Sequence, residues 1–253
     1  MKRTKVFVVG APKTGTTTAA TMLNLLGYRT SSWPVYRLFH CLQKRDLKAL
    51  MAEIDAHDAF EDLPWTVLYR VVDQACPGSK FILTVRNEDK WIRSMVSYNG
   101  FWPDPARRFL MGLAAPAGFE GEHRAWYRRH NASVIEWFRD RPSDLLVVDW
   151  ESGQGWNELC AFLGCTPPGA DMPHARRTNH AGLAARMFRL SAGPMRLLRR
   201  IGPVNRRWIA DDDRFDPERP WIAGPADDQE SMELWKPGLL FRLGRAISAR
   251  LAP

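Results

Sequence analysis

The chain has 253 residues, of which 45% are hydrophobic and 25% are charged. This length and composition suffice for one sizeable domain with a buried core, and they exclude a wholly disordered or fibrous protein. The formal net charge of +8 favours an anionic partner, which includes nucleotides, acidic substrates, nucleic acids and anionic membrane surfaces.

The sequence carries no recognisable export or membrane signal. Basic residues precede a short apolar run at the amino terminus, but Gly10, Pro12 and Lys13 interrupt that run too early for a secretory segment. No stretch approaches the roughly 20 uninterrupted apolar residues of a membrane span. The four cysteines have neither paired nor zinc-ligand spacing, so we expect reduced thiols, no metal site and a cytoplasmic location.

The first predicted elements are a strand and a helix joined by a glycine-rich turn. Residues 5–10, KVFVVG, form a continuous apolar run typical of a strand buried on both faces of a parallel sheet. Apolar residues then recur with helical spacing from Ala19 to Leu26, and Gly27 stands where a helix commonly ends.

Later segments repeat this alternation. The runs FILTV at 81–85 and LLVVD at 145–149 predict two more central strands, because each is short, apolar and preceded by turn residues. Helical spacing is found near residues 46–57, 66–76, 88–98, 119–140 and 155–164. Alternating strands and helices predict an α/β fold, a three-layer sandwich with a central parallel sheet and right-handed crossovers.

The carboxyl-terminal part differs in composition. After about residue 166, proline, arginine and glycine become frequent and strand-like runs end. We therefore predict a core over residues 1–180 and a basic helical or irregular extension over 181–253, packed on the core. The partly amphipathic segments PMRLLRRIG and FRLGRAISARL in this extension suit peripheral contact with an anionic membrane surface.

The turn after the first strand, GAPKTGTT, has the spacing of a phosphate-binding loop. Its glycines, Gly10 and Gly15, stand five positions apart between a predicted strand and a helix, whose amino end favours an anion. In ATP and GTP enzymes a lysine follows the second glycine, whereas here Thr16 follows and the lysine lies inside the loop as Lys13. That displacement indicates a ligand other than a magnesium-bound triphosphate.

The loop resembles the 5′-phosphosulfate-binding loop of sulfotransferases that use 3′-phosphoadenosine 5′-phosphosulfate (PAPS). A sulfuryl group carries less charge than a phosphoryl group, so a positioned lysine can take the place of magnesium. The resemblance implies a P-loop nucleotide-binding fold and no metal. It also implies that the donor is bound by Pro12, Lys13, Thr14, Gly15, Thr16 and Thr17, with Lys13 at the bridging oxygen.

A second motif resembles the clamp for the 3′-phosphate in the same family. Arg86 directly follows the predicted strand and Ser94 stands eight positions later, the family's arrangement of arginine and serine. A guanidinium offers bidentate geometry to phosphate and a serine hydroxyl adds a neutral donor. Glu88 stands where the family usually has proline. The resemblance to the family extends from residue 5 to about residue 180. Arg176 or Arg177 is a weaker candidate to close over the nucleotide.

The resemblance also implies a general base in the segment FEDLP. Asp62 is the first candidate because it stands two positions before Pro64, and Glu61 is the second. Asp62 has an alternative role as the cap of a helix starting near Pro64. His130 is a further candidate base, although its spacing from Trp126 also suits a hydrogen-bonded histidine in the core.

Tryptophans are candidates for an acceptor pocket, although large aromatic side chains in such a domain more often belong to the core. The pocket interpretation is strongest for Trp65, beside the candidate base, and for Trp102, in a proline-flanked loop. Trp33 and Trp91 are weaker candidates.

Taken together, the motifs predict sulfuryl transfer from PAPS to a hydroxyl, or less favourably an amine, of a small-molecule, sugar or lipid acceptor. One alternative is a magnesium-dependent P-loop kinase, with Asp149 holding the metal at the end of its strand. Another is a basic protein that binds membrane surfaces or nucleic acid. Neither alternative explains Lys13, Arg86 and Ser94 together.

Overall fold

The structure, a computed structural model, describes residues 3–44, 46–99, 105–113 and 115–173. Five parallel strands in these ranges form one sheet with the order β2-β3-β1-β4-β5. The strands are β1 (Val6–Val8), β2 (Thr30–Ser32), β3 (Ala59–Glu61), β4 (Lys80–Thr84) and β5 (Leu145–Val148).

Eight α-helices connect or follow these strands within the described ranges. They are α1 (Thr16–Leu25), α2 (Val35–Lys44), α3 (Leu47–Ala56), α4 (Tyr69–Ala75), α5 (Glu88–Asn99), α6 (Pro105–Met111), α7 (Glu120–Trp137) and α8 (Trp156–Leu163). Short 3₁₀ turns precede and follow β5, at Pro142–Asp144 and Trp150–Ser152.

The predicted α/β class and its parallel sheet are confirmed, as are all three predicted strands. The sequence pattern did not indicate the two short strands β2 and β3.

The two faces of the sheet carry separate apolar cores. On one face, Val6 and Val8 of β1 pack with buried residues of α1 and α8. On the other face, Phe7 stacks between Phe60 of β3 and Phe81 of β4, with ring centroids 4.5 and 5.4 Å apart. Helices α2 to α7 cover this second face. The domain therefore has three layers, and alternate residues of each central strand serve opposite cores.

The order in which strands are added to the sheet changes direction at β1. From β1 the chain runs to β2 and β3 on one side, and then to β4 and β5 on the other side. In open parallel sheets, ligands bind beyond the carboxyl ends of the strands at this point of reversal. Val8 pairs with Glu61 of β3 and with Ile82 of β4, so the segments after β1, β3 and β4 leave the sheet at one edge.

Several predictions from the sequence fall outside the described residues. They concern Trp102, the pair Arg176 and Arg177, and the extension over 181–253. The proposed division at residue 180 stays a prediction. Among the described residues, no helix is both long enough and apolar enough to cross a membrane.

Gly10 is required by the close approach of the loop to β4. A Cβ at this position would lie 2.0 Å from Thr84 Oγ1 and 2.6 Å from the Thr84 carbonyl oxygen. The second atom is backbone, so a rotamer change cannot relieve the overlap. We expect Gly10→Ala to lower the free energy of unfolding by about 3 kcal/mol, measured by urea denaturation, because β1 and β4 must separate.

Gly121 provides the matched control, since a Cβ there meets nothing within 4 Å and the residue lies in the first turn of α7. Gly121→Ala should be neutral or slightly stabilising. Equal effects of the two substitutions would contradict the packing argument.

Candidate active site

The loop between β1 and α1 is held by its own hydrogen bonds and by β4. Thr14 Oγ1 donates to the Ala11 carbonyl at 2.6 Å and lies 2.6 Å from Thr84 Oγ1. Thr14 is only 4% exposed, so its hydroxyl shapes the loop rather than facing solvent. Lys13 and Gly15 adopt left-handed backbone conformations, with φ of 73° and 99°. The chain turns sharply at these two residues before α1 begins.

The loop leads directly into the amino end of α1. Gly15 occupies the cap position without a side chain, and the first turn contains no acidic residue. Thr16 and Thr17 form the start of this turn, with Thr16 buried and Thr17 partly exposed. A helix amino end that has no side-chain cap and no carboxylate is suited to an anionic ligand.

Trp150 covers the second glycine of the loop. Its Nε1 donates to the Gly15 carbonyl at 3.2 Å, and a Cβ on Gly15 would lie 2.5 Å from Trp150 Cδ1. Trp150 lies in the 3₁₀ turn after β5, so a segment distant in sequence packs against the loop. This contact could not be predicted from the sequence, since no motif spacing marks Trp150.

Helix α5 faces the loop with a row of side chains. Trp91 Nε1 donates to the Pro12 carbonyl at 2.9 Å, and Lys13 Nζ lies 4.0 Å from the ring centroid of Tyr98. Ser94 is three residues after Trp91 and four before Tyr98, which places it on the same helical face. Ser94 is therefore positioned between two residues that contact the loop, and it is 7% exposed.

Arg86 reaches the same loop from the end of β4. Its Nη1 donates to the Lys13 carbonyl at 3.4 Å, and its Nη2 pairs with Glu151 at 2.6 Å. Its Nε is buried and has no hydrogen-bond partner among the described residues. Tyr127 Oη bonds both the amide and the carbonyl of Arg86, at 2.9 and 2.8 Å, and so fixes the backbone there.

Lys13, Ser94 and Arg86 are thus brought together around one loop, although they come from three different segments. Trp91 contributes twice, because its ring also stacks on Tyr127 at a centroid distance of 4.3 Å. The pair Trp91 and Tyr127 joins the Pro12 carbonyl to the Arg86 backbone. Neither aromatic residue was identified in this role from the sequence.

The departure from the family pattern at Glu88 has a structural explanation. Glu88 is the first residue of α5 and pairs with Arg124 and Arg128 of α7, at 3.1 and 2.9 Å. Asn87 Oδ1 accepts a hydrogen bond from the Asp89 amide at 3.1 Å, which fixes the start of the helix. The helix therefore begins in the expected place without a proline.

The two candidate bases occupy different surroundings. Glu61 is 3% exposed, and its carboxylate accepts hydrogen bonds from Ser32 at 2.9 Å and from Thr17 at 3.3 Å. It ties the first turn of α1 to the ends of β2 and β3. This network favours a positioning role for Glu61.

Asp62 lies in a strained backbone conformation, with φ of 66°, and its Oδ1 accepts from the Leu63 amide at 2.8 Å. Burial and the neighbouring Glu61 carboxylate raise the pKa of Asp62 to about 7, although the Leu63 amide, Arg107 and Lys13 oppose this shift. A carboxyl group with a pKa near neutrality is suited to accept a proton.

The alternative role of Asp62 as a helix cap is wrong. Residues 62–67 form a turn that contains a cis peptide bond between Leu63 and Pro64. Helix α4 begins only at Tyr69, and its cap position is Leu68. The Asp62 side chain satisfies the next amide in the turn rather than a helix end.

His130 contributes to packing between α7 and β1. Its Nε2 lies 2.8 Å from the Val9 carbonyl, to which it donates, and its ring stacks parallel to Trp126 at 4.9 Å. The residue is 8% exposed. These contacts favour the core interpretation, in which His130 supports the strand that leads into the loop.

The expected pocket role of Trp65 is wrong. Trp65 is fully buried and packs against Phe60 and Phe7, with centroid distances of 4.8 and 6.0 Å. Trp91 is also fully buried, whereas Trp33 is partly buried. These contacts make Trp65 part of the apolar core on this face of the sheet.

Asp149, the residue on which the kinase alternative depended, caps the turn after β5. Its Oδ1 accepts from the Glu151 amide at 2.9 Å, and its own amide donates to Gln154. Across the described ranges, no three side chains of His, Cys, Asp or Glu are grouped as metal ligands would be. The arrangement around Asp149 is that of a local turn.

Comparison with known proteins agrees with this geometry. The chain matches the model of a family described as "Sulfotransferase domain" over residues 5–120 and 102–181. The protein named "Ava biosynthesis cluster protein M" from Aspergillus versicolor is 24% identical over 161 residues, which cover 52% of this chain and 58% of that protein. The matched segment therefore spans little more than half of that relative.

The raised pKa of Asp62 predicts a dependence of stability on pH. The folded chain keeps the proton on Asp62 up to pH about 7, whereas the ordinary value is 3.8. Ionisation therefore destabilises the folded state increasingly as the pH rises from about 4 to about 7. We expect Asp62→Asn to raise the free energy of unfolding by about 1 to 3 kcal/mol at pH 8, with little change at pH 4.

Asparagine preserves the acceptor for the Leu63 amide and tolerates the left-handed backbone, so the substitution isolates the charge. Asp140→Asn is the control, because the Asp140 side chain is 95% exposed. Urea denaturation across this pH range measures both effects. A gain that does not depend on pH would contradict the assignment.

Proposed function

The chain belongs to the sulfotransferase family, and on that premise we propose that it transfers a sulfuryl group from PAPS to a hydroxyl group of a small-molecule, sugar or lipid acceptor. The observation that carries the proposal is the convergence of Lys13, Ser94 and Arg86 on the loop at the amino end of α1. This convergence provides two separate anion-binding positions, which a nucleotide with phosphates at both ends requires.

The loop suits the 5′-phosphosulfate. Backbone amides at the start of α1, where Thr16 and Thr17 lie, favour an anion, and the Thr17 hydroxyl is held by Glu61. Gly10 and Gly15 leave no side chain between the loop and its neighbours Thr84 and Trp150. Pro12, Lys13 and Thr14 complete the curve, with Thr14 maintaining its shape.

The second position suits the 3′-phosphate. Arg86 presents a guanidinium whose buried Nε has no partner among the described residues, and Ser94 lies on the α5 face that contacts the loop. A phosphate accepts several hydrogen bonds from an arginine in fixed geometry. This position accounts for the choice of a donor that carries a 3′-phosphate.

In the proposed reaction, the bond from sulfur to the bridging oxygen of the donor breaks as the acceptor oxygen bonds to sulfur. The departing 3′,5′-bisphosphate gains negative charge at that oxygen, which the ammonium group of Lys13 stabilises. The acceptor hydroxyl loses its proton to the Asp62 carboxylate. Glu61 holds Thr17 and raises the pKa of Asp62 through its charge.

The acceptor is proposed only by class. The Aspergillus relative is named as a biosynthesis cluster protein, which supports a small-molecule acceptor. We further propose that the basic segment after residue 176 contacts an anionic membrane surface. Such contact would give the enzyme access to a lipid acceptor.

Donor binding is tested by calorimetric titration with 3′,5′-bisphosphoadenosine and, separately, with ATP and magnesium. We expect the wild-type protein to bind the bisphosphate without metal, and Arg86→Ala to weaken this binding by about 10- to 100-fold, since a charged hydrogen-bonding group is lost. Arg93→Ala is the matched control, because Arg93 is an exposed arginine on α5 beside Ser94. Binding of ATP with magnesium, and none of the bisphosphate, would overturn the proposed donor.

The two catalytic assignments are tested by single-turnover rates with PAPS and any acceptor found by screening. Lys13→Ala should lower the rate by about 10²- to 10³-fold, since the charge on the leaving oxygen is no longer stabilised.

Asp62→Asn should lower the single-turnover rate by about 10²- to 10⁴-fold, since the acceptor hydroxyl loses its proton acceptor. The wild-type rate should rise with pH to a plateau above about 7 as Asp62 loses its proton. An unchanged pH profile in Asp62→Asn would contradict the role of this residue.

A further inference from the structure

Glu151 forms an ion pair with Arg86, the residue proposed to bind the 3′-phosphate. Its Oε1 lies 2.6 Å from Arg86 Nη2, and its Oε2 lies 2.9 Å from Lys90 Nζ. Burial acts against ionisation, but hydrogen bonds from Lys90 and Arg86 outweigh it and lower the pKa of Glu151. An ionised carboxylate therefore shares the arginine with the nucleotide site at neutral pH.

Both terminal nitrogens of the Arg86 guanidinium already have a partner, whereas its Nε has none among the described residues. Nη1 donates to the Lys13 carbonyl, and Nη2 is paired with Glu151. A phosphate and a carboxylate at the same guanidinium repel one another, because both are anionic and both accept the same hydrogen bonds. Bidentate binding of a phosphate through the Nη2 donor that Glu151 occupies therefore requires Glu151 to withdraw.

Lys90 gives Glu151 a second partner. This lysine lies in the first turn of α5, and its bond to Glu151 uses the carboxylate oxygen that Arg86 does not contact. After withdrawal from Arg86, the carboxylate keeps one cation and stays near the surface, where its side chain is already 36% exposed. The exchange thus leaves no buried charge without a partner.

The turn that carries Glu151 also touches the other half of the site. Trp150 precedes Glu151 directly and donates to the Gly15 carbonyl, while the Asp149 side chain accepts from the Glu151 amide. Gly153 ends the turn in a left-handed conformation with φ of 89°. A shift of Glu151 is therefore linked through one peptide unit to the indole that covers the loop.

We infer that Glu151 is an internal competitor for the 3′-phosphate, which it mimics at Arg86 until a nucleotide carrying that phosphate displaces it. The inference rests on the proposed function. It makes Glu151 a residue that lowers the affinity for nucleotides with a 3′-phosphate and not for those without one, because only a 3′-phosphate exchanges with the carboxylate. A 5′-monophosphate occupies the loop and leaves the pair of Glu151 and Arg86 intact.

The test compares Glu151→Gln with the wild-type protein by calorimetric titration with 3′,5′-bisphosphoadenosine and with adenosine 5′-phosphate. Glutamine keeps the size of the side chain and removes its charge. We expect the substitution to tighten bisphosphate binding by about three- to tenfold, which is the range for loss of one competing ion pair at a partly exposed site. Binding of the monophosphate should change by less than about twofold.

Glu88→Gln is the matched control, because it also replaces one glutamate by glutamine. Glu88 lies at the start of α5, the helix that carries Lys90, and pairs with arginines other than Arg86. The control substitution should leave both affinities unchanged, whereas an equal gain in Glu88→Gln would attribute the effect to net charge and overturn the inference. Weaker or unchanged bisphosphate binding in Glu151→Gln would also overturn it, since Glu151 would then orient Arg86 or play no part. If neither the wild-type protein nor Glu151→Gln binds the bisphosphate while both remain folded, the proposed function itself fails.

Discussion

The close approach of the loop to β4 is the constraint on which the rest of the site depends. Gly10 lies against the Thr84 backbone, and the Thr14 hydroxyl meets the Thr84 hydroxyl at 2.6 Å. These two contacts fix the loop to the strand that leads to Arg86. The distance between the loop and Arg86 is therefore set by the packing of the loop against β4.

Buried polar groups complete this framework and carry a free-energy cost. Glu61 and Asp62 are consecutive carboxyl residues at the end of β3. Burial and the charge of Glu61 raise the pKa of Asp62 to about 7. Glu61 is stabilised by hydroxyl donors from Ser32 and Thr17. A buried carboxyl group with a raised pKa lowers the stability of the folded state at neutral pH.

Much of the fold could be predicted because its signals are local. Apolar runs marked β1, β4 and β5, and helical spacing marked most of the helices, since buried elements of this length repeat with their own period. The strands β2 and β3 escaped detection because each has only three residues, too few to show a pattern. Trp65 was misassigned because its surroundings, Phe7 and Phe60, are supplied by other strands.

The sequence by itself determined the loop between β1 and α1, its displaced lysine and the place of Arg86 after β4, because each belongs to a short motif beside a strand that the apolar pattern marks. Only the tertiary structure decided which groups surround them. Trp150 reaches Gly15 across 135 residues of sequence, and Tyr127 reaches Arg86 across 41. Such contacts depend on how helices and strand ends pack around the central sheet, and no local period or spacing encodes them.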